Sequence, residues 1–197
     1  MKMDTNPRPI TGPWDEGFTL DVHTVSAEYL GDDLNGHPQF DTTRSEIGEA
    51  LFRLKYRGER DASATLANVA AEFVRLRGFA VDVVVPVPPS RVRSFQPLAA
   101  IASRLAANLG AGYDPKSLRK IRDTPELKSM ADMADREAAL AGAFEVRGSA
   151  LTGKHILLFD DLYRSGASMR EAARTLRTQG GAASLRALAL TRTRSRS

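Results

Sequence analysis

The run Ile156, Leu157, Leu158, Phe159, Asp160, Asp161, Leu162, Tyr163, Arg164, Ser165, Gly166, Ala167, Ser168 constrains this chain more than any other. Four consecutive apolar residues make a buried strand. Two adjacent carboxylates stand where that strand ends. A turn of small residues follows, and the spacing of Met169, Ala172, Ala173 and Leu176 marks a helix face that Gly180 and Gly181 close. In open α/β sheets ligands bind at the carboxyl ends of strands, so the carboxylates and the turn occupy the right position for a site.

The rest of the chain supplies the sheet and its cover. Val81 to Val87 is a β-branched run that Pro86 turns into a loop, and Leu185 to Leu190 is a further buried strand. Helical spacing joins Ile47, Ala50, Leu51 and Leu54. It also joins Leu66, Val69, Ala70, Phe73 and Val74 ahead of Gly78, and Leu98, Ile101, Ala102, Leu105 and Leu109 ahead of Gly110. Strands alternating with helices predict an α/β domain with a mainly parallel central sheet flanked by helices. Residues 1–17 read as an irregular arm. Alternation over residues 18–25 and a turn at Gly31 to Gly36 predict a β-hairpin across 18–41. Residues 119–137, rich in charge and poor in large apolar groups, read as a mobile loop with helical pieces. The expected division is an arm and hairpin over 1–43, a main domain over 44–191 and a basic tail over 192–197.

The turn before the last helix has the physics of an anion site. The first amides of a helix have no partner within it and point outward. Gly166 permits close backbone approach, and Ser165 and Ser168 carry hydroxyl donors. Ser168 and Glu171 also form a capping-box pattern, so Ser168 serves the helix, a ligand or both. Asp160 and Asp161 suit vicinal hydroxyls and a hydrated Mg²⁺; a lone acidic pair would otherwise read as turn or cap residues. Gly148 to His155 approximates a phosphate-binding loop, but His155 replaces the final hydroxyl residue and a strand follows where that motif needs a helix. Gly153 and Lys154 read instead as a turn.

Composition removes several classes. The 197 residues contain no cysteine, so disulfides, thiolate zinc sites and cysteine nucleophiles are excluded. His23, His37 and His155 show no ligand spacing. No apolar run spans a bilayer, and the first residues lack the apolar core of a signal peptide; the expectation is a cytoplasmic protein without a membrane partner. A net charge of +4 and an arginine-bearing tail suit an anionic ligand or nucleic acid without separating them.

The fingerprint at 156–168 resembles that of type I phosphoribosyltransferases, and other segments resemble the ComF-like (competence protein F-like) branch. These are Leu54-Lys55-Tyr56-Arg57-Gly58-Glu59, the strand end Val84-Val85-Pro86-Val87-Pro88-Pro89, the turn Arg91-Val92-Arg93-Ser94-Phe95, Arg122-Asp123-Thr124-Pro125, and Gly142-Ala143-Phe144. The likeness covers residues 45–191. Residues 1–43 stand in place of that branch's four-cysteine zinc ribbon. Ser94, Phe95, Gln96 and Pro97 replace Gly-Phe-Asn-Gln, Leu127 or Lys128 replaces a glutamine, and Ala139 replaces an asparagine.

The resemblance implies a type I phosphoribosyltransferase-like fold that uses 5-phosphoribosyl pyrophosphate, or binds a nucleotide, with Mg²⁺. It implies that the amides of Ser165, Gly166, Ala167 and Ser168, with Arg164 opening the turn, hold the 5-phosphate. Asp160 and Asp161 take the ribose hydroxyls and the metal. The loop Pro89, Ser90, Arg91 approaches the pyrophosphate, and Arg91, Arg93, Arg122 and Lys128 neutralise it; each of these cations alone equally suits a solvated surface. Tyr163 and Phe95 flank a base or ribose, or simply pack, and Trp14 reads as a packing anchor. Asp21, His23 and Asp41 would line a hood. Apolar helix faces near 47–54 leave room for a homodimer. Three functions follow: an active transferase with an unknown acceptor, a binding protein that keeps the phosphate loop without turnover, and a nucleic-acid-associated factor. The drift around Lys128 favours the binding protein, and the intact Asp160-Asp161 pair favours the transferase.

Overall fold

The computed structural model describes residues 3–89, 94–123 and 133–194. In chain order the elements begin with β1 (Arg8–Pro9), β2 (Glu16–Val22), β3 (Thr24–Asp32), β4 (Pro38–Arg44) and α1 (Glu46–Phe52). A π-helical turn (Arg53–Arg57) leads to α2 (Ala62–Leu76), β5 (Val83–Pro86), α3 (Pro97–Leu109), β6 (Gly112–Tyr113) and β7 (Leu118–Lys120). Then come α4 (Met133–Leu140), β8 (Phe144–Val146), β9 (His155–Tyr163), α5 (Ala167–Gln179) and β10 (Ser184–Arg192).

Six strands form the central sheet, in the order β1-β2-β10-β9-β5-β6. Every pairing is parallel except that of β1 with β2. Side chains alternate between its faces, as the pleat requires. Leu157 and Phe159 face a core built with Leu51, Leu54, Leu66, Val74, Ile101 and Leu105 from α1, the π turn, α2 and α3. Ile156 and Leu158 face a second core with Met169, Ala172 and Leu176 of α5, together with Trp14 and Phe144. A sheet covered on both faces is the mainly parallel α/β arrangement that the sequence predicts.

Local chemistry sets the helix ends. Ser45 caps α1, its Oγ accepting from the Gly48 amide at 3.0 Å while donating to the Val22 carbonyl at 2.5 Å. Proline opens α3, and Gly110 at φ 68° closes it.

Three expectations change. The alternating segment 18–25 is not one arm of a hairpin. Residues 16–22 enter the main sheet beside β10, with Phe18 opposite Leu188 and Leu20 fully buried, and the hairpin is β3 with β4. Parallel pairing to a strand about 170 residues away leaves no local sequence signal, whereas alternation reads the same in either setting. Second, the strand from His155 does not end at Phe159. It continues through Asp160 and Asp161 to Tyr163, which pairs with Arg192. Third, residues 119 and 120 belong to β7, whereas the start of α4 is a helical piece of the kind expected over 119–137. Ser90, Arg91, Arg93, Lys128 and the tail residues 195–197 lie outside the described residues. Among the described residues no helix is long and apolar enough to cross a membrane.

Candidate functional site

β9 and the turn into α5 build the site. On the side of β5 the ladder stops at Phe159, where the Val87 amide donates to the Phe159 carbonyl at 2.9 Å and the chain leaves toward Pro89. On the other side pairing with β10 continues to Tyr163. Among the described residues, therefore, β9 beyond Phe159 is paired along one edge only.

Because the strand continues, the adjacent carboxylates project to opposite faces of the sheet. Asp160 follows Ile156 and Leu158 toward α5, and Asp161 follows Leu157 and Phe159 toward the π turn. The Asp160 carboxylate turns back on the chain, where Oδ1 accepts from the Asp161 amide at 2.8 Å. Burial and then the neighbouring Asp161 carboxylate push its pKa up to about 8, against the amides of Asp161 and Leu162 and the Lys55 ammonium. Asp161 instead pairs with Lys55, Oδ2 to Nζ 2.9 Å. Thr191 Oγ1 donates to the Asp161 carbonyl at 3.0 Å and fixes the backbone there. The pair expected to act as one unit is thus divided between two environments.

A cleft of about 450 Å³, counted to its open mouth, lies over the α5 entrance. Arg136, Asp160, Tyr163, Arg164, Ser165, Gly166, Ala167 and Ser168 are among its lining residues. Gly166 enters the helix at φ 78°, and no side chain caps α5. Among the described residues no side chain pairs the first amides of α5. Ser168 lies inside the helix, so the capping box is not formed; Glu171 accepts from the Gly142 amide at 2.8 Å and pairs with Arg174. Gly166 is required twice. Its φ is left-handed, and a Cβ there would fall 2.2 Å from the Tyr163 hydroxyl oxygen.

The remaining candidates separate. Tyr163 lines the cleft, packs against the second core and accepts from Arg170 Nη1 at 2.9 Å. Arg122 Nη2 donates to the carbonyls of Ala139 at 3.1 Å and Ala141 at 2.8 Å, at the end of α4. Phe95 packs on the first core under Arg60, 5.0 Å above its ring. Trp14 is an anchor as expected, with Nε1 donating to the Ile10 carbonyl at 2.9 Å. Asp41 is exposed on β4. Asp21 is raised, first by burial. Burial, and then Lys55 and Arg44, lower the His23 pKa, with Asp161 opposing; its Nδ1 lies 3.4 Å from Thr191 Oγ1, which donates to the Asp161 carbonyl.

Sequence reasoning missed three groups: Lys55, Arg136 in the cleft wall, and Arg170 with its partner Glu137. For Lys55 a signal existed, since it lies in the Leu54 to Glu59 segment quoted above. The others carry none, because an arginine on a helix is common.

The oxygen donors suit a hard cation, and Asp161 already balances one positive charge. Among the described residues no three histidine, cysteine or acidic side chains cluster as a metal cage. Mg²⁺ commonly binds one or two carboxylates and takes its other ligands from water and substrate phosphates, which fits this donor set.

No family model matches the chain. Competence protein ComFC of Bacillus subtilis (strain 168) is 30% identical over 152 residues, covering 77% of this chain and 62% of that protein. The chain thus spans under two thirds of that relative's length. Glutamine phosphoribosylpyrophosphate amidotransferase from B. subtilis matches with a TM-score of 0.48 and 18% identity, over 80% of this chain and 34% of that one. Leishmania donovani UMP synthase matches at 0.41 and 16%, over 84% and 28%. L. donovani hypoxanthine-guanine phosphoribosyl transferase matches at 0.39 and 18%, over 83% and 75%.

Proposed function

We propose that this chain, a ComF-like protein of type I phosphoribosyltransferase fold, binds a 5-phosphoribosyl pyrophosphate-type ligand with Mg²⁺ and passes its phosphoribosyl group to an acceptor. One observation carries the reading: the uncapped start of α5, entered through Gly166, forms the wall of the cleft that also contains Asp160. A dianionic 5-phosphate meets unpaired amides and the positive end of the helix dipole there. The ribose then lies along the open edge of β9, where Asp160 can accept from its hydroxyls.

Asp161 would hold the Mg²⁺ on its face of the strand, and the ion would supply positive charge against the departing pyrophosphate. The bond from the ribose anomeric carbon to pyrophosphate oxygen breaks, a bond from that carbon to the acceptor forms, and the transition state has oxocarbenium character. No protein nucleophile is needed; positioning and charge neutralisation suffice. Arg136, in the cleft wall, is placed to face anionic oxygen. Pro89, Ser90, Arg91, Arg93 and Lys128 belong to the same proposal.

A second reading, ligand binding without turnover, is favoured by Arg122, whose guanidinium serves the carbonyls at the end of α4. Pyrophosphate release from 5-phosphoribosyl pyrophosphate, measured with a panel of bases, separates the two. Release with one base supports transfer. Tight binding without release leaves the binding reading. A competence protein among the relatives motivates a further assay, DNA binding against salt concentration; salt-independent affinity would remove nucleic acid from the partners.

A further inference from the structure

Lys55 sits in the π-helical turn that follows α1 and ends at Gly58, φ 71°. Such turns are rare and collect at functional sites. Leu54 beside it is buried in the first core, which anchors the turn. Lys55 and Asp161 form a pair whose side chains are only 19% and 17% exposed. That distinguishes it from the solvated ion pairs elsewhere, such as Arg53 with Glu59 at 42% and 49%. His23 lies close enough for both charges to act on it.

Asp161 Oδ2 thus already holds a cation at 2.9 Å. A divalent ion bonded to this carboxylate at about 2.1 Å would lie against the ammonium, and repulsion between the two cations favours one of them at a time. A carboxylate this secluded, left with no cation, would be strongly destabilising. The fold meets that need with a tethered monovalent charge on a flexible four-carbon stem, which a divalent ion can displace.

We propose that Lys55 is a built-in counter-ion for Asp161, which fills the cation position while the site is empty and yields it to Mg²⁺, so that Lys55 sets the metal affinity by competition. This rests on the reading of Asp161 as a metal carboxylate. It predicts weak binding of Mg²⁺ alone and an outward movement of Lys55 when Mg²⁺ binds.

The test uses the full chain and Mg²⁺ alone. Calorimetric titration compares wild type, Lys55→Met and Lys55→Arg. Lys55→Met should bind Mg²⁺ several-fold more tightly than wild type, with Lys55→Arg near wild type. Adding Asp161→Asn to Lys55→Met should remove the gain. Equal or weaker binding by Lys55→Met overturns the proposal, as does a gain that survives Asp161→Asn. Equal binding by both proteins leaves the metal reading intact and removes only the competition, whereas no binding by either removes both. A second measurement needs no variant. Amine acetylation of wild type, read by peptide mass spectrometry, should be slow at Lys55 in chelator and several-fold faster in millimolar Mg²⁺. Exposed Lys154 should label equally in both. Unchanged labelling at Lys55 overturns the proposal even where Lys55→Met fails to fold.

Discussion

Arg170 Nη1 donates to the Tyr163 hydroxyl oxygen at 2.9 Å, tying the first turn of α5 to the last residue of β9. The same guanidinium reaches the Ser165 carbonyl at 2.6 Å through Nη2 and Glu137 at 2.7 Å through Nε. One half-buried cation therefore fixes both ends of the turn into α5 and fastens it to α4. Charged hydrogen bonds of this kind contribute about 1.5–3 kcal/mol each. Arg170→Met should lower Tm and weaken ribose 5-phosphate binding by about tenfold or more, since each tenfold costs about 1.4 kcal/mol. Arg170→Lys keeps the charge but not the fork, so it should fall between. Calorimetric binding equal to wild type in Arg170→Met would show that the turn holds its shape unaided.

Gly166→Ala tests the turn from inside. The substitution meets a left-handed φ of 78° and the Tyr163 hydroxyl oxygen 2.2 Å from the new Cβ. The first effect costs about 1–2 kcal/mol by itself. Tyr163→Ala relieves the contact with the ring, but neither the left-handed φ nor Arg170 Nη1, which would lie 2.6 Å from the new Cβ. Ribose 5-phosphate binding should therefore be lost in Gly166→Ala and recover only in part in the double variant. Full recovery would mean that neither the backbone conformation nor the Arg170 contact matters.

Asp160 gives stability a pH dependence of definite sign. Its pKa is raised from 3.8 to about 8 by burial and by Asp161. Between those values the folded protein holds a proton that the unfolded chain has released, so stability is greatest at the acid end and falls as pH rises, then levels off above about 8. Asp160→Asn cannot titrate. Relative to wild type, its Tm should be similar near pH 4 and clearly higher near pH 9. The check is Tm against pH in chelator; parallel curves for the two proteins would refute the assignment.

The carboxylates also decide ligand binding. Asp160→Asn with Asp161→Asn should abolish the Mg²⁺-dependent part of 5-phosphoribosyl pyrophosphate binding while the domain stays folded. Circular dichroism checks the fold, and titration with and without Mg²⁺ checks the site. Unchanged affinity in the double variant would defeat the assignment of both residues.

What the sequence revealed of this site followed its local patterns. The apolar run at Ile156 to Phe159, the glycine at 166 and the apolar spacing of α5 all act over a few residues, and each appears where the pattern placed it. The end of β9 did not, because hydrogen bonds to β10 carry the strand through two aspartates of low strand propensity. That extension divides Asp160 from Asp161, which no reading of adjacent acids would anticipate. The Lys55–Asp161 pair escaped for the same reason: its partners are 106 residues apart in sequence and meet only after α1 packs on the sheet. Ser168 shows a local signal overridden, since the left-handed Gly166 supplies the entry to α5 and the capping box is left unformed.

The N-terminal region offers a prediction on the fold itself. β1 and β2 extend the main sheet, whereas β3 and β4 form a separate two-stranded sheet. On that hairpin Val25, Tyr29, Leu30, Leu34 and Phe40 are exposed. Thr24 and Arg44 are partners at its base, so the chain can be rejoined there by a short linker. Replacing residues 25–43 with such a linker should leave Tm nearly unchanged, because an exposed hairpin contributes little burial to the core. Trp14→Ala should behave oppositely. Its ring is 8% exposed, packs in the second core and fills the space beside Gly12 and Gly17, so its loss should cost about 3–5 kcal/mol. Thermal melts of the two variants decide whether the structural boundary lies before the hairpin or after it. A large loss of stability on removing 25–43 would make the hairpin part of the core.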